Sequence, residues 1–259
     1  MALKLIVLFF TPLLSGLLIY LVPRGKTTNF KLLLVFAGAY LFSITVIHIL
    51  PELFQQPVGQ EWVGLCVLAG FFFQQFLEYF TSGVEHGHIH VHSHEPHDHH
   101  HHHGRDITQK TLSALMLLTA LCVHAFLEGA MLAETEHAGP DYDLNAILIG
   151  IALHRAPAAF ALMTVLAFQL GSRNKSLPYL IGFSLAAPVG LLISSYLAET
   201  NVISQSAMIF LYALVCGNFL HISTTIVFES SPEHHFNAKK LGVAVFGALI
   251  AVAVEHFIG

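Results

Sequence analysis

His124 and Glu128 stand four residues apart in one apolar stretch, and His154 lies in the next, within Leu153-His154-Arg155-Ala156-Pro157. On an α-helix, positions four apart share a face one turn from each other. An imidazole and a carboxylate on one face can converge on a divalent cation, and His154 could supply a third ligand. The competing structural explanation is an inert His–Glu hydrogen bond. Ionisable groups at membrane depth are expensive, which makes them functional candidates by default. A second kind of chemistry is written between Glu85 and Gly104, where the chain carries eleven histidines. They include His88, His90, His92 and His94 and the run His99, His100, His101, His102, His103. Neutral imidazoles in such a tract bind Zn(II), Ni(II) or Cu(II) weakly and exchangeably. A plain solvated linker and an expression tag are the alternatives, although the tract is internal and degenerate.

Weaker polar positions complete the inventory. His48-Ile49-Leu50-Pro51-Glu52 would make an acidic mouth that collects cations, or an interfacial group that simply meets water. Ser184, His221 and Glu229 are further candidates for a path through the chain. Gln74, Gln75 and Glu78 read as contacts between helices, and Glu255 and His256 as solvated residues at a span end. Cys66, Cys122 and Cys216 are odd in number, lack metal-ligand spacing and read as small packing residues.

These residues need elements to hold them. With 55% hydrophobic and 10% charged residues, the chain is no soluble globular domain. The expectation is an all-α integral membrane protein, a single domain over 1–259. It has eight spans near 3–23, 32–54, 61–83, 111–134, 144–170, 177–199, 204–228 and 238–258. Each is long enough for a core that needs about 20 residues per helix. Arg24, Lys26, Lys31, Arg105, Lys110, Arg173, Lys175, Lys239 and Lys240 all fall on one set of connections. Acidic residues occupy the other set, so the positive-inside rule places both termini outside the cytoplasm. The 85–104 segment is then a disordered cytoplasmic loop. The apolar start, with Lys4 and no small-residue cleavage site, reads as a retained span rather than a signal peptide. His124, Glu128 and His154 fall near mid-depth. Pro157 and Pro188 free the carbonyls of Leu153 and Ser184 there, as in the broken helices of transport sites.

With these residues in place, the whole chain resembles the ZIP family of divalent-metal transporters. His48 to Glu52 is similar to the family's H-x-x-P-E, and His124 to Gly129 to its H-x-x-x-[DE]-G. Pro188 to Gly190 resembles a Pro-x-Gly element, and Gly217-Asn218-Phe219-Leu220-His221 resembles G-x-F-L-Y. Many members carry ligands for two adjacent metals. Here those positions read Ala125, Arg155, Ala158 and Ala187, while H-[KR]-A-P-A-A-F resembles one branch of the family. The resemblance with these departures implies a single-metal site of His124, Glu128 and His154, completed by water or Ser184. Arg155 would stand as the surrogate for the second metal's charge.

The expected function is a divalent transition-metal transporter, moving Zn(II) towards the cytoplasm, with Fe(II) and Mn(II) as other cargoes. The absence of a Cys or Met cluster disfavours Cu(I). The resemblance implies an elevator-type carrier, with spans 1, 4, 5 and 6 moving against 2, 3, 7 and 8, and a homodimer through the latter. No enzyme activity, resident cofactor or nucleic-acid partner is expected, and the setting is a bacterial inner membrane. The alternatives are a metal exporter, an intramembrane zinc hydrolase, and a metal-sensing receptor that does not transport. A hydrolase would need an acid–base residue beyond the ligands.

Overall fold

The computed structural model describes residues 1–21, 31–81, 103–133, 144–200, 202–229 and 238–258; for 31, 81, 103–113, 228–229 and 258 only the backbone is described. Every regular element among the described residues is a helix, with no strand among them. Helix α1 covers Ala2–Leu17, followed by a 3₁₀ turn at Leu18–Tyr20. Helix α2 covers Lys31–Ile44 and passes through a π turn at Thr45–Ile49 into α3, Leu50–Gln55. Then come α4 (Gln60–Thr81), α5 (His103–Ala130), α6 (Leu144–Gln169), α7 (Arg173–Glu199), α8 (Gln205–Glu229) and α9 (Ala238–Ile258). Helix is the economical choice for these apolar segments, because each closes its backbone hydrogen bonds within itself.

Among the described residues, seven helical stretches are long and apolar enough to cross a membrane: Ala2–Tyr20, Leu32–Gln55, Gln60–Phe80, Leu144–Gln169, Arg173–Glu199, Gln205–Val227 and Ala238–Phe257. The eighth expected span, 111–134, falls on α5, whose described apolar run, Ala114–Ala130, is shorter. Residues 82–102 lie outside the described residues, and with them the histidines from His88 to His102. The end of the expected loop is different: the backbone at His103 and Gly104 already belongs to α5.

Local chemistry explains the breaks. Pro51 has no N–H to donate and sits at the start of α3, and the π turn before it absorbs the missing bond. Gly171, with φ +65°, turns the chain after α6, and Ser172 caps α7 by accepting from the Lys175 N–H.

The helices pack as two bundles. Helices α1, α5, α6 and α7 share a core of their own that includes Ile19, Leu121, Phe160, Leu162, Leu180 and Phe183. Helix α4 packs on α8, and α2 on α8 and α9. A larger core joins both bundles, from Leu8 through Ile44, Leu53, Leu132, Ile147, Tyr212 and Ala251. It draws on the first turns of α1 and the last of α9, so both described chain ends stand at one face. Polar contacts tie that face together. Lys4 Nζ donates to Leu132 O across 3.3 Å, a cation at the carbonyl end of α5. Tyr40 Oη donates to Ala146 O at 3.2 Å and Tyr212 Oη to Ala133 O at 3.3 Å. Both tyrosine bonds run from one bundle to the other.

Glycines set the closest crossings. A Cβ on Gly129 of α5 would land on the Ala187 carbonyl of α7, and one on Gly190 of α7 would land on the Phe126 carbonyl of α5. Gly70 and Gly217 do the same between α4 and α8. Small residues at such points let backbones approach where lipid supplies no hydrophobic drive.

Candidate metal site

Helix α5 presents His124 and Glu128 on one face, and α6 crosses it with His154 and Arg155. All four side chains are buried, at 1–2% exposure. His124 Nε2 lies 3.1 Å from Glu128 Oε1. The rings of His124 and His154 stand edge to face with centroids 6.0 Å apart. One ligand atom from each of His124, Glu128 and His154 falls within 4.8 Å of the others. A tetrahedral Zn(II) with ligands near 2.0 Å needs its donors about 3.3 Å apart. The three donors must therefore draw together by up to about 1.5 Å to hold one ion. Two imidazoles and a carboxylate form a donor set suited to Zn(II) and to neighbouring borderline divalent metals.

Arg155 is held from two sides. Its Nη1 lies 3.3 Å from Glu128 Oε2, and its Nη2 donates to Phe183 O on α7 at 2.9 Å. The guanidinium also lies over the Phe183 ring, 4.6 Å from the centroid. Burying either charge alone would be strongly unfavourable, and the pair offsets it. Ser184, next to Phe183, is buried with its Oγ free of any hydrogen-bond partner among the described residues.

The other sequence candidates lie apart from this trio. His48 Nδ1 lies 3.2 Å from Glu255 Oε1, so Glu255 is a helix-to-helix partner and not the merely solvated residue its end-of-span position suggested. Glu52 accepts from the side chain of Gln56, the residue that caps the end of α3. His221 Nε2 meets Glu78 Oε2 at 2.7 Å, with the Phe71 ring edge-on at 4.8 Å. That pair links α4 to α8. The side chain of Glu229 is outside the described residues. Two partners were invisible to sequence reasoning, the Phe183 carbonyl and Glu255. No spacing rule points to either, since each becomes a neighbour only when separate helices pack.

Comparison with known proteins gives the class. Residues 82–255, more than half of the chain, match the family described as ZIP Zinc transporter. The chain belongs to the ZIP zinc transporter family. Among similar proteins is "Zinc transporter ZIP9" of Macaca fascicularis, 34% identical over 114 residues, covering 41% of this chain and 47% of that protein. "Zinc transporter ZIP9-B" of Xenopus laevis is 33% identical over 134 residues, covering 48% of this chain and 43% of that one. The match thus spans less than half the length of these relatives. They are vertebrate proteins and lend nothing to the expectation of a bacterial inner membrane.

Proposed function

We propose that the chain is a multi-pass carrier of divalent metal, moving Zn(II) towards the cytoplasm through one site formed by His124, Glu128 and His154. The observation that carries this reading is the convergence of three buried ligand-type side chains, from two helices, within 4.8 Å of one another. Buried ionisable groups there are costly, and a transported cation is the physical reason to keep them. Two imidazoles and one carboxylate bind firmly enough to select and loosely enough to release.

The two-bundle packing supports an elevator-type movement of α1, α5, α6 and α7 past α2–α3, α4, α8 and α9. The moving group has its own core, and the shared core with its tyrosine bonds gathers at the face of the chain ends. Homodimerisation is proposed through the second bundle, whose α4 and α9 expose Trp62, Phe72, Phe76, Phe246 and Leu249.

The test is metal uptake by the full chain in proteoliposomes. His124→Ala, Glu128→Ala and His154→Ala should each lower Zn(II) uptake by more than about tenfold. Normal uptake by all three would overturn the site and shift attention to His48 and Glu52.

A further inference from the structure

We infer that Arg155 sets the metal preference of the site by holding Glu128 to a single free oxygen; the inference rests on the metal site proposed above. The two carboxylate oxygens face different partners. Oε1 is turned to His124 Nε2 at 3.1 Å, and Oε2 to Arg155 Nη1 at 3.3 Å. The guanidinium is not free to leave Oε2. Its Nη2 is bonded to Phe183 O at 2.9 Å, and the Phe183 ring lies beneath it at 4.6 Å. A third helix therefore anchors the group that occupies the second oxygen.

With Oε2 committed, Glu128 has only Oε1 for a cation, and His124 and His154 offer one nitrogen each. Three protein ligands and one open position make the four-coordinate arrangement that Zn(II) takes with nitrogen and oxygen donors. Mn(II) favours six, largely oxygen ligands, and larger cations use bidentate carboxylates to reach their higher coordination numbers. A Glu128 free to bind through both oxygens would widen the site towards them. Nitrogen donors already favour Zn(II) over Mn(II); the clamp enlarges that margin. Arg155 acts here as a positioning residue, touching the ligand and not the metal.

The experiment uses the purified full chain in detergent, titrated with Zn(II) and Mn(II), and with Co(II) as a spectroscopic probe of coordination. Wild type should bind Co(II) with the intense visible bands of a four-coordinate ion. Arg155→Met should fade those bands towards the weak spectrum of a higher-coordinate ion and narrow the Zn(II)-over-Mn(II) preference about tenfold, the usual size of a ligand-orienting contact. Arg155→Lys, which keeps one charged donor on Oε2, should restore most of both. An unchanged Co(II) spectrum and metal preference in Arg155→Met would overturn the inference. X-ray absorption at the zinc edge of wild type decides the matter even if Arg155→Met fails to fold, since a bidentate Glu128 there would also overturn it. His124→Ala separates the two readings. If that variant loses Zn(II) while Arg155→Met leaves the preference intact, the site stands and the clamp falls. Zn(II) binding undiminished by His124→Ala would overturn both.

Discussion

Glu128 has a different neighbour on each oxygen, His124 on Oε1 and Arg155 on Oε2. The pair is buried to 1% exposure on both sides, where an isolated charge is unfavourable by several kcal/mol. Glu128→Ala should therefore lower the thermal stability of the purified protein, by roughly 3–5 kcal/mol, because it strands a buried guanidinium. Adding Arg155→Met should recover most of that stability and none of the metal binding. A double variant no more stable than Glu128→Ala in a thermal melt would show that the pair is not what the burial demands. The His221–Glu78 pair differs in setting, since Glu78 keeps 20% of its side chain exposed. Its contribution is expected to be correspondingly smaller.

Helix α5 carries two of the three proposed ligands, and its placement depends on one crossing. Gly129 follows Glu128 directly and faces the Ala187 carbonyl of α7, with Gly190 returning the contact to Phe126. A methyl group at 129 must push the helices apart and carry His124 and Glu128 with them. Gly129→Ala should destabilise the protein by about 1–3 kcal/mol, the usual range for overpacking, and weaken Zn(II) binding as well. Gly64 on α4 is the internal control. A Cβ there meets nothing within 4 Å, so Gly64→Ala should be neutral or stabilising by about 0.5–1 kcal/mol through helix propensity alone. Equal melting temperatures for the two variants would remove the crossing from the argument. The π turn before Pro51 is a second element-scale device, placing His48 where it reaches Glu255.

Across the whole molecule, the two bundles meet most fully at the face of the chain ends. Tyr40 and Tyr212 are buried there and each spans the boundary. If the bundles move past one another, both bonds must break. Each contributes about 1 kcal/mol net, so Tyr40→Phe or Tyr212→Phe should shift the balance of conformations about fivefold towards opening at that face. Reaction of a cysteine introduced near the site with an impermeant reagent added from that face would report it. No gain in reactivity from either variant would argue against this boundary as the moving one. Residues 85–102 call for a separate experiment. Their deletion should leave Zn(II) uptake intact and lower the total metal bound by the purified chain. Loss of uptake at normal expression would make the histidines part of the route.

The helices and one half of the site were legible in the chain itself. A bilayer demands long apolar stretches with self-satisfied backbones, and composition alone reports where those lie. Helical periodicity alone set His124 beside Glu128, because four residues make about one turn. The same reasoning read a helix from 111, and the backbone of α5 begins earlier, at His103. Contacts between helices were another matter. Sequence could name Arg155 as a charge in the wrong place, but its anchor is a backbone carbonyl on α7, and every residue has one of those. Glu255 read as solvated and pairs with His48; Glu78 and His221 meet across 143 residues. Lipid is as apolar as the helix faces, so hydropathy says that a helix is in the membrane and nothing about its neighbour. That choice rests on close crossings at glycines and on a few polar contacts, which exist only once the chain is folded.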